Sequence, residues 1–211
     1  MTDRVYLINR DYSQDVKNIC EWFADDMEES KKQPNYYAIV NARVLQEIMD
    51  SIGLDEDLEF MNDIYQRLDL TIDYISIVRI SPWGITGPSI IKIRDRKLDM
   101  NVDKIFDPTL QNRNCVMVIP LQGFDASADI RWIDKGVQLT DADLLRKNFT
   151  QNTVGVTRMG KDPFLMRSDQ TIQYTNLQNP NYFFFLQIGF ECNPAFEEVK
   201  YKFYKLANNL L

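Results

Sequence analysis

The sequence predicts an α+β protein in which N-terminal helices and one C-terminal helix pack on an antiparallel β jelly roll. Apolar residues recur with helical spacing before residue 70, and again after Pro194. Between them, short β-branched runs are separated by Gly, Pro and Asn turns, which is typical of sandwiches and jelly rolls. We therefore expect a mainly helical N-terminal cover at residues 1–70. A β-rich core with a C-terminal helix follows at 71–211, and the two parts form one compact unit.

Three helices are predicted in the N-terminal part. The first begins with Ser13 as N-cap and ends before Pro34. A second ends at Gly53, and a third begins at Asp55. The apolar stripes that predict them are Val16, Ile19, Cys20, Phe23 and Met27; Val44, Leu45, Ile48, Met49 and Ile52; and Leu58, Met61, Tyr65 and Leu68.

The rest of the chain is predicted to be mainly strands. Cys115–Ile119 is continuously apolar and is predicted to end at Pro120, as a central strand. Ser81–Pro88 is predicted to be a loop because Pro and Gly punctuate it. The other predicted strands are Arg4–Ile8, Tyr36–Val40, Ile72–Ile80, Ile91–Arg94, Ala128–Ile133, Thr153–Thr157, Thr171–Thr175 and Tyr182–Phe190. The final helix carries Phe196, Val199, Phe203 and Leu206 on one face.

Charge and cysteine usage limit the partners and the compartment. The chain has 24 Lys and Arg against 31 Asp and Glu, a formal net charge of −7, so we expect no nucleic-acid partner. The start lacks a signal-peptide pattern and the longest strongly apolar run, Tyr182–Leu186, is too short to span a bilayer, so we expect no membrane partner. Cys20, Cys115 and Cys192 are odd in number and scattered, which favours reduced thiols and a cytoplasmic location, or a virion if the protein is virus-encoded.

Two segments carry a family resemblance. Ile77–Pro88 is a strand with an arginine that leads into a loop rich in Pro and Gly, and Cys115–Leu121 is an apolar strand ending in Pro-Leu. Trp132 and a turn at Gly136 follow. Together they resemble the core strands of the double-stranded β-helix in 2-oxoglutarate/Fe(II) oxygenases, especially the aspartyl-hydroxylase-like branch. The resemblance runs from Ile72 to Gly136 and implies a cupin-like fold.

The resemblance does not extend to the metal-binding residues. That family holds iron with two histidines and one carboxylate, and this chain has no histidine. Pro88 and Ser89 stand where the first histidine is implied, and Ile91 replaces the acid. Val137–Asn152 supplies no distal histidine. We therefore expect a degenerate member without iron chemistry, and not an enzyme.

Other catalytic classes are excluded by the same composition. Ser-His-Asp and Cys-His catalysis need an imidazole, and three remote cysteines do not make a zinc site. The eight glycines form no phosphate-binding loop. We expect no catalytic residue, metal or cofactor.

Three hypotheses about function follow. The preferred one is a non-catalytic jelly-roll protein that acts through a protein partner or self-assembly. A phage virion component is its specific form, because many Asn, Gln and Ile residues suggest an AT-rich genome. The second is a binder of a small sugar or carboxylate, with a pocket lined by Arg79, Arg131 and Trp132. The third is a hydrolase driven by two acids among Asp125, Asp129 and Asp134.

Overall fold

The structure is a computed structural model. It describes residues 4–32, 37–40, 58–80, 85–86, 92–95, 100–103, 113–125, 128–133, 153–169, 172–176 and 182–210. The predicted helix that ends at Gly53 lies outside these residues, as does the beginning of the third predicted helix.

Helices in the described part of the chain lie near both ends. They are α1 (Ser13–Trp22), α2 (Ala24–Ser30), α3 (Glu59–Asn62) and α4 (Phe196–Ala207), and a π-helical turn, Asp63–Arg67, continues α3. The single first helix predicted from the apolar stripe is therefore two helices with Phe23 between them. Phe23 still donates its backbone N–H to Ile19 O at 3.0 Å, so the apolar stripe continues across the junction.

The strands form two main sheets and a separate hairpin. In chain order they are β1 (Val5–Leu7), β2 (Tyr37–Val40), β3 (Ile72–Ile80), β4 (Ile85–Thr86), β5 (Lys92–Asp95), β6 (Met100–Asp103), β7 (Cys115–Gln122), β8 (Ala128–Ile133), β9 (Thr153–Met159), β10 (Phe164–Arg167), β11 (Ile172–Asn176) and β12 (Phe183–Phe190). The larger sheet has the order β1-β10-β7-β12-β3-β2 and the smaller sheet β4-β11-β8-β9, while β5 pairs with β6. Every pairing is antiparallel.

The path of the chain between the sheets defines a jelly roll. From β3 in the larger sheet the chain crosses to β4 in the smaller sheet and returns to β7 in the larger one. It then crosses to β8 and β9, returns to β10, crosses to β11 and returns to β12, the last strand. This alternation places β10-β7-β12-β3 opposite β4-β11-β8-β9, which is the strand order of a double-stranded β-helix. The predicted α+β fold class is confirmed.

Two apolar cores hold the layers together. One lies between the sheets and is called here the interior core: Val78, Ile80, Val116, Val118, Phe124, Ala128, Ile130, Trp132, Met159, Phe164, Met166, Ile172, Phe183 and Phe185. The other, the outer core, lies between the larger sheet and the helices and includes Ile19, Ile77, Phe184 and Phe203. Successive residues of a strand point to opposite faces, so neighbours such as Ile77 and Val78 belong to different cores.

Four local predictions need correction. The strand predicted to end at Pro120 continues to Gln122. Phe185 pairs with Pro120 and Phe184 with Gln122, so Leu121 is the extra residue of a β-bulge in β7. Strand β4 occupies part of the loop predicted at Ser81–Pro88. The N-cap of α1 is Tyr12, not Ser13. Tyr65, predicted on the apolar face, is 40% exposed, because the wider π-helical turn shifts its direction.

The first seventy residues contribute strands as well as helices. Strand β1 pairs with β10 at one edge of the larger sheet, and β2 pairs with β3 at the other edge. Among the described residues, no helix has the length and apolar character needed to cross a bilayer.

Candidate functional site

The three predicted ligand-binding residues lie in three different layers. Trp132 belongs to the interior core, and Arg131, its neighbour on β8, points to the opposite face of the smaller sheet. Arg79 lies on the helix side of the larger sheet, where its guanidinium stacks on the ring of Tyr182. The structure therefore does not bring Arg79, Arg131 and Trp132 into one pocket.

Trp132 is a packing residue. Its side chain has no solvent exposure, and its indole Nε1 donates a hydrogen bond to Thr157 Oγ1 at 3.3 Å. A buried indole that satisfies its N–H within the sheet contributes to the core and leaves no polar atom for a ligand.

An iron centre does not fit the residues present. The interior core lies between the sheets, and the buried polar side chains that share its face of β3 and β12 are the hydroxyl of Ser76 and the amide of Gln187, which are not iron ligands of that family. The chain has no histidine to supply imidazole ligands. Among the described residues, no group of three or more Cys, Asp or Glu side chains is placed to hold a metal ion.

Two of the three predicted catalytic acids, Asp125 and Asp129, lie among the described residues. Asp129 lies on β8 and pairs with Arg158, with 3.6 Å between Oδ1 and Nε. Asp125 accepts the backbone N–H of Ala128 through its carbonyl in the turn before β8. Asp134 lies outside the described residues. Among the described residues, the ionic partner of Asp129 is thus a cation, whereas a hydrolase of this kind needs a second carboxylate at the site.

A cleft of about 650 Å³ lies instead where the N-terminal segment meets the ends of β7 and β10. We call it the N-terminal cleft. It is lined by residues 9–13 and Val16, by residues 119–124 and by residues 161–163. The backbone N–H of Ile8 donates to Pro163 O at 2.9 Å and fixes the first of these segments against the third. The volume is in the range of small-molecule pockets.

The wall of the N-terminal cleft contains an arginine held by two acids, the buried Asp63 and the partly exposed Glu59. Arg10 donates from Nε to Asp63 Oδ2 at 2.7 Å and from Nη2 to Asp63 Oδ1 at 2.9 Å. It also donates from Nη2 to Glu59 Oε1 at 2.9 Å. Asp63 is fully buried and also accepts from Tyr12 Oη at 2.8 Å and from Arg67. This network fixes the direction of the Arg10 guanidinium.

Electrostatics keeps the neighbouring tyrosine neutral. Burial, and then the charge of Asp63, raise the pKa of Tyr12 far above its ordinary value, so its hydroxyl remains a donor to Asp63. Asp11, at the mouth of the cleft, accepts the backbone N–H of Ser13 at 2.9 Å. That hydrogen bond lowers the pKa of Asp11 and keeps it ionised.

Sequence reasoning did not single out Arg10 or Tyr12. Their partner Asp63 is 53 and 51 residues away, so no local spacing joins them. The available signal was weak: an Arg-Asp-Tyr run between a short strand and a helix.

Comparisons with known proteins give likenesses of fold. No protein-family model matches the chain, and no curated protein matches it by sequence. Among solved structures it is similar to AviO1 from Streptomyces viridochromogenes Tue57, with a TM-score of 0.44, 13% identity and coverage of 91% of this chain and 92% of that one. It is also similar to HygX from Streptomyces hygroscopicus with nickel and 2-oxoglutarate bound, with a TM-score of 0.41, 10% identity and coverage of 88% of this chain and 80% of that one. A third similar structure is a Pseudomonas putida prolyl-4-hydroxylase, with a TM-score of 0.38, 9% identity and coverage of 88% of this chain and 90% of that one.

These comparisons correct one prediction. The preferred hypothesis of a non-catalytic interaction protein, with a phage virion component as its specific form, is wrong. The similar structures are of proteins such as a prolyl-4-hydroxylase and HygX, which holds 2-oxoglutarate. At these identities the likeness is one of fold, and the jelly-roll assignment rests on the strand order itself.

Proposed function

We propose that this protein binds a small polar molecule in the N-terminal cleft. The observation that carries the proposal is Arg10, which lines the cleft and whose Nε and Nη2 are held by Asp63 and Glu59. The hydrogen bonds of Arg10 to these two acids do not use Nη1. A fixed guanidinium with donors to spare is suited to an oxygen acceptor of a ligand, because no conformational freedom is lost when it binds.

The rest of the lining defines the kind of molecule. Val16, Ile119 and Leu121 give the cleft an apolar surface, while Lys161 and Asp162 add one charge of each sign at its rim. Such a lining suits a molecule with an apolar body and an oxygen acceptor for Arg10.

The proposal also states that the protein has no iron and 2-oxoglutarate chemistry, because the chain has no histidine and no group of acids or cysteines among the described residues is placed to hold a metal ion. Incubation with Fe(II), 2-oxoglutarate and O₂ should yield no succinate above a no-protein control. Succinate formation that depends on the protein would refute this part.

Thermal denaturation with small carboxylic acids, amino acids and phosphorylated compounds tests the cleft. Ser13 lines the cleft and its neighbour Gln14 does not, although both are exposed in the first turn of α1. A bound compound at a hundredfold excess over its Kd stabilises the native state by about 2.7 kcal/mol. We expect that gain in the wild type and in Gln14→Trp, and its loss in Ser13→Trp. Equal gains in all three proteins, or none with any compound, would reject the N-terminal cleft as the site.

A further inference from the structure

Arg79 is the most unusual polar residue of the described chain. It lies on β3 beside Ile77 of the outer core and has no solvent exposure. Its guanidinium carbon lies 4.7 Å from the centre of the Tyr182 ring. None of its three guanidinium nitrogens has a hydrogen-bond partner among the described residues. A buried arginine remains charged, so five N–H donors and a positive charge need compensation.

Two other arginines show what is missing at Arg79. Arg113 stacks on Tyr74 at 5.1 Å, pairs with the carboxylate of Asp73 and donates to Phe190 O at 2.8 Å. Arg167 stacks on Phe196 at 4.7 Å and pairs with Glu197 at 3.0 Å.

In both cases the aromatic ring covers one face of the guanidinium and a carboxylate meets its edge. Arg79 has the ring without an acid among the described residues, although it is more deeply buried than Arg113 or Arg167.

A described cation close to Arg79 is Lys31, which forms an ion pair with Glu28 on α2. Phe184 is the direct partner of Arg79 in the β3–β12 register, and the ammonium of Lys31 lies 5.8 Å from the Phe184 ring. Tyr182 Oη donates to Lys31 O at 3.3 Å, so the end of α2 is tied to the same place. The side chain of Lys31 is 33% exposed, which connects this region to solvent.

We propose that Arg79, stacked on Tyr182, is the binding site for a small oxyanion, a carboxylate or a phosphate, that reaches it beside Lys31 at the end of α2. The fork of N–H donors of Arg79 matches two oxygens of either group, and Lys31, paired with Glu28, lies beside the entrance. Arg79 does not line the N-terminal cleft, so this site is separate from the one in the proposed function.

Thermal denaturation of the full chain tests the proposal. Sodium acetate and sodium phosphate are titrated separately at constant ionic strength, with sodium chloride as the reference salt. In the wild type, at least one of the two oxyanions should raise Tm in proportion to the logarithm of its concentration above Kd, by about 5 °C at a hundredfold excess over its Kd. The oxyanion that gives this rise above the chloride reference identifies the class.

Arg79→Met should abolish the rise, and Arg113→Lys, a change at a stacked arginine with its own acid, should keep it. Ser13→Trp should also keep it, which separates this site from the N-terminal cleft. If Arg79→Met does not fold, the side-chain Nε–Hε resonance of Arg79 in the wild type should shift saturably with the same anion. No specific rise and no shift in the wild type, or an equal rise in a folded Arg79→Met variant, would overturn the proposal.

Discussion

Gly189 is a position where the packing leaves no room for even a methyl side chain. Strand β12 passes at this residue directly beneath the ring of Tyr74, and a Cβ on Gly189 would overlap that ring. Tyr74 has little freedom to move, because its hydroxyl accepts a hydrogen bond from Gln187 at 3.2 Å and Arg113 stacks on its ring. The absence of a side chain at Gly189 is therefore a packing requirement.

We predict that Gly189→Ala lowers the free energy of unfolding by about 1–3 kcal/mol, as overpacking does in well-packed cores. Urea denaturation gives the value. Gly160→Ala is the matched control, since the nearest atom to its added Cβ is a carboxylate oxygen of Asp162 at 3.9 Å, and it should change stability by no more than about 0.5 kcal/mol. Similar losses in the two variants would contradict the packing explanation.

At the scale of elements, Asp15 of α1 determines how α3 begins. Its carboxylate Oδ2 accepts the backbone N–H of Phe60 at 3.0 Å, so one helix caps another across the outer core. Asp15 is only 6% exposed, and burial raises its pKa above the ordinary value, while the N–H groups of Phe60 and Glu59 act in the opposite direction. The cap therefore carries an electrostatic cost when Asp15 is ionised.

The sign of the pH dependence follows from that shift. An acid with a raised native-state pKa favours folding at low pH, and the benefit is lost as pH rises from about 3.9 through the native-state value. We predict that the stability of Asp15→Asn relative to the wild type increases over this window and then levels off, as measured by urea unfolding from pH 3 to 7. Asp15→Ala should show the same slope with an offset of about 1 kcal/mol for the lost cap. A relative stability that is flat or falls with pH would refute the raised pKa.

At the scale of the whole molecule, the cysteines report on global opening. Cys115 is 3% exposed in the outer core, whereas Cys192 is exposed after β12. Burial raises the pKa of the Cys115 thiol to about 12, so in the native state it has almost no thiolate at pH 8.

We predict that a thiol reagent at pH 8 labels Cys192 rapidly and labels Cys115 at least about a thousandfold more slowly, at a rate set by unfolding. Peptide mass spectrometry over time distinguishes the two sites, and Cys192→Ser removes the label of the rapid site. Urea should accelerate only the Cys115 reaction by a large factor. Labelling of both cysteines at one rate in native buffer would mean that the outer core opens without unfolding.

Elements that depend on neighbouring residues could be predicted from the sequence, and features that depend on contacts with distant residues could not. Strand β3 was predicted with its bounds because nine successive residues carry a β pattern, and α4 because its apolar residues recur at helical spacing. Strand β10 was missed, since four residues, Phe164–Arg167, are too few to show a period. The extension of β7 past Pro120 includes a bulge at Leu121, which the pairing with β12 defines and no local pattern contains.

The sequence by itself determined the α+β class, the change from helical to strand periodicity near residue 70, and the exclusion of imidazole chemistry, because composition and period are local properties of the chain. Only the tertiary structure decided which side chains meet. Arg79 and Trp132 were grouped in one predicted pocket, yet the alternation of faces and the order of the strands put them in different layers. Arg10 and Asp63, 53 residues apart, meet because β1 and α3 belong to layers that the jelly roll brings together. Contacts of that range follow from topology, and topology is fixed by the packing of the whole molecule.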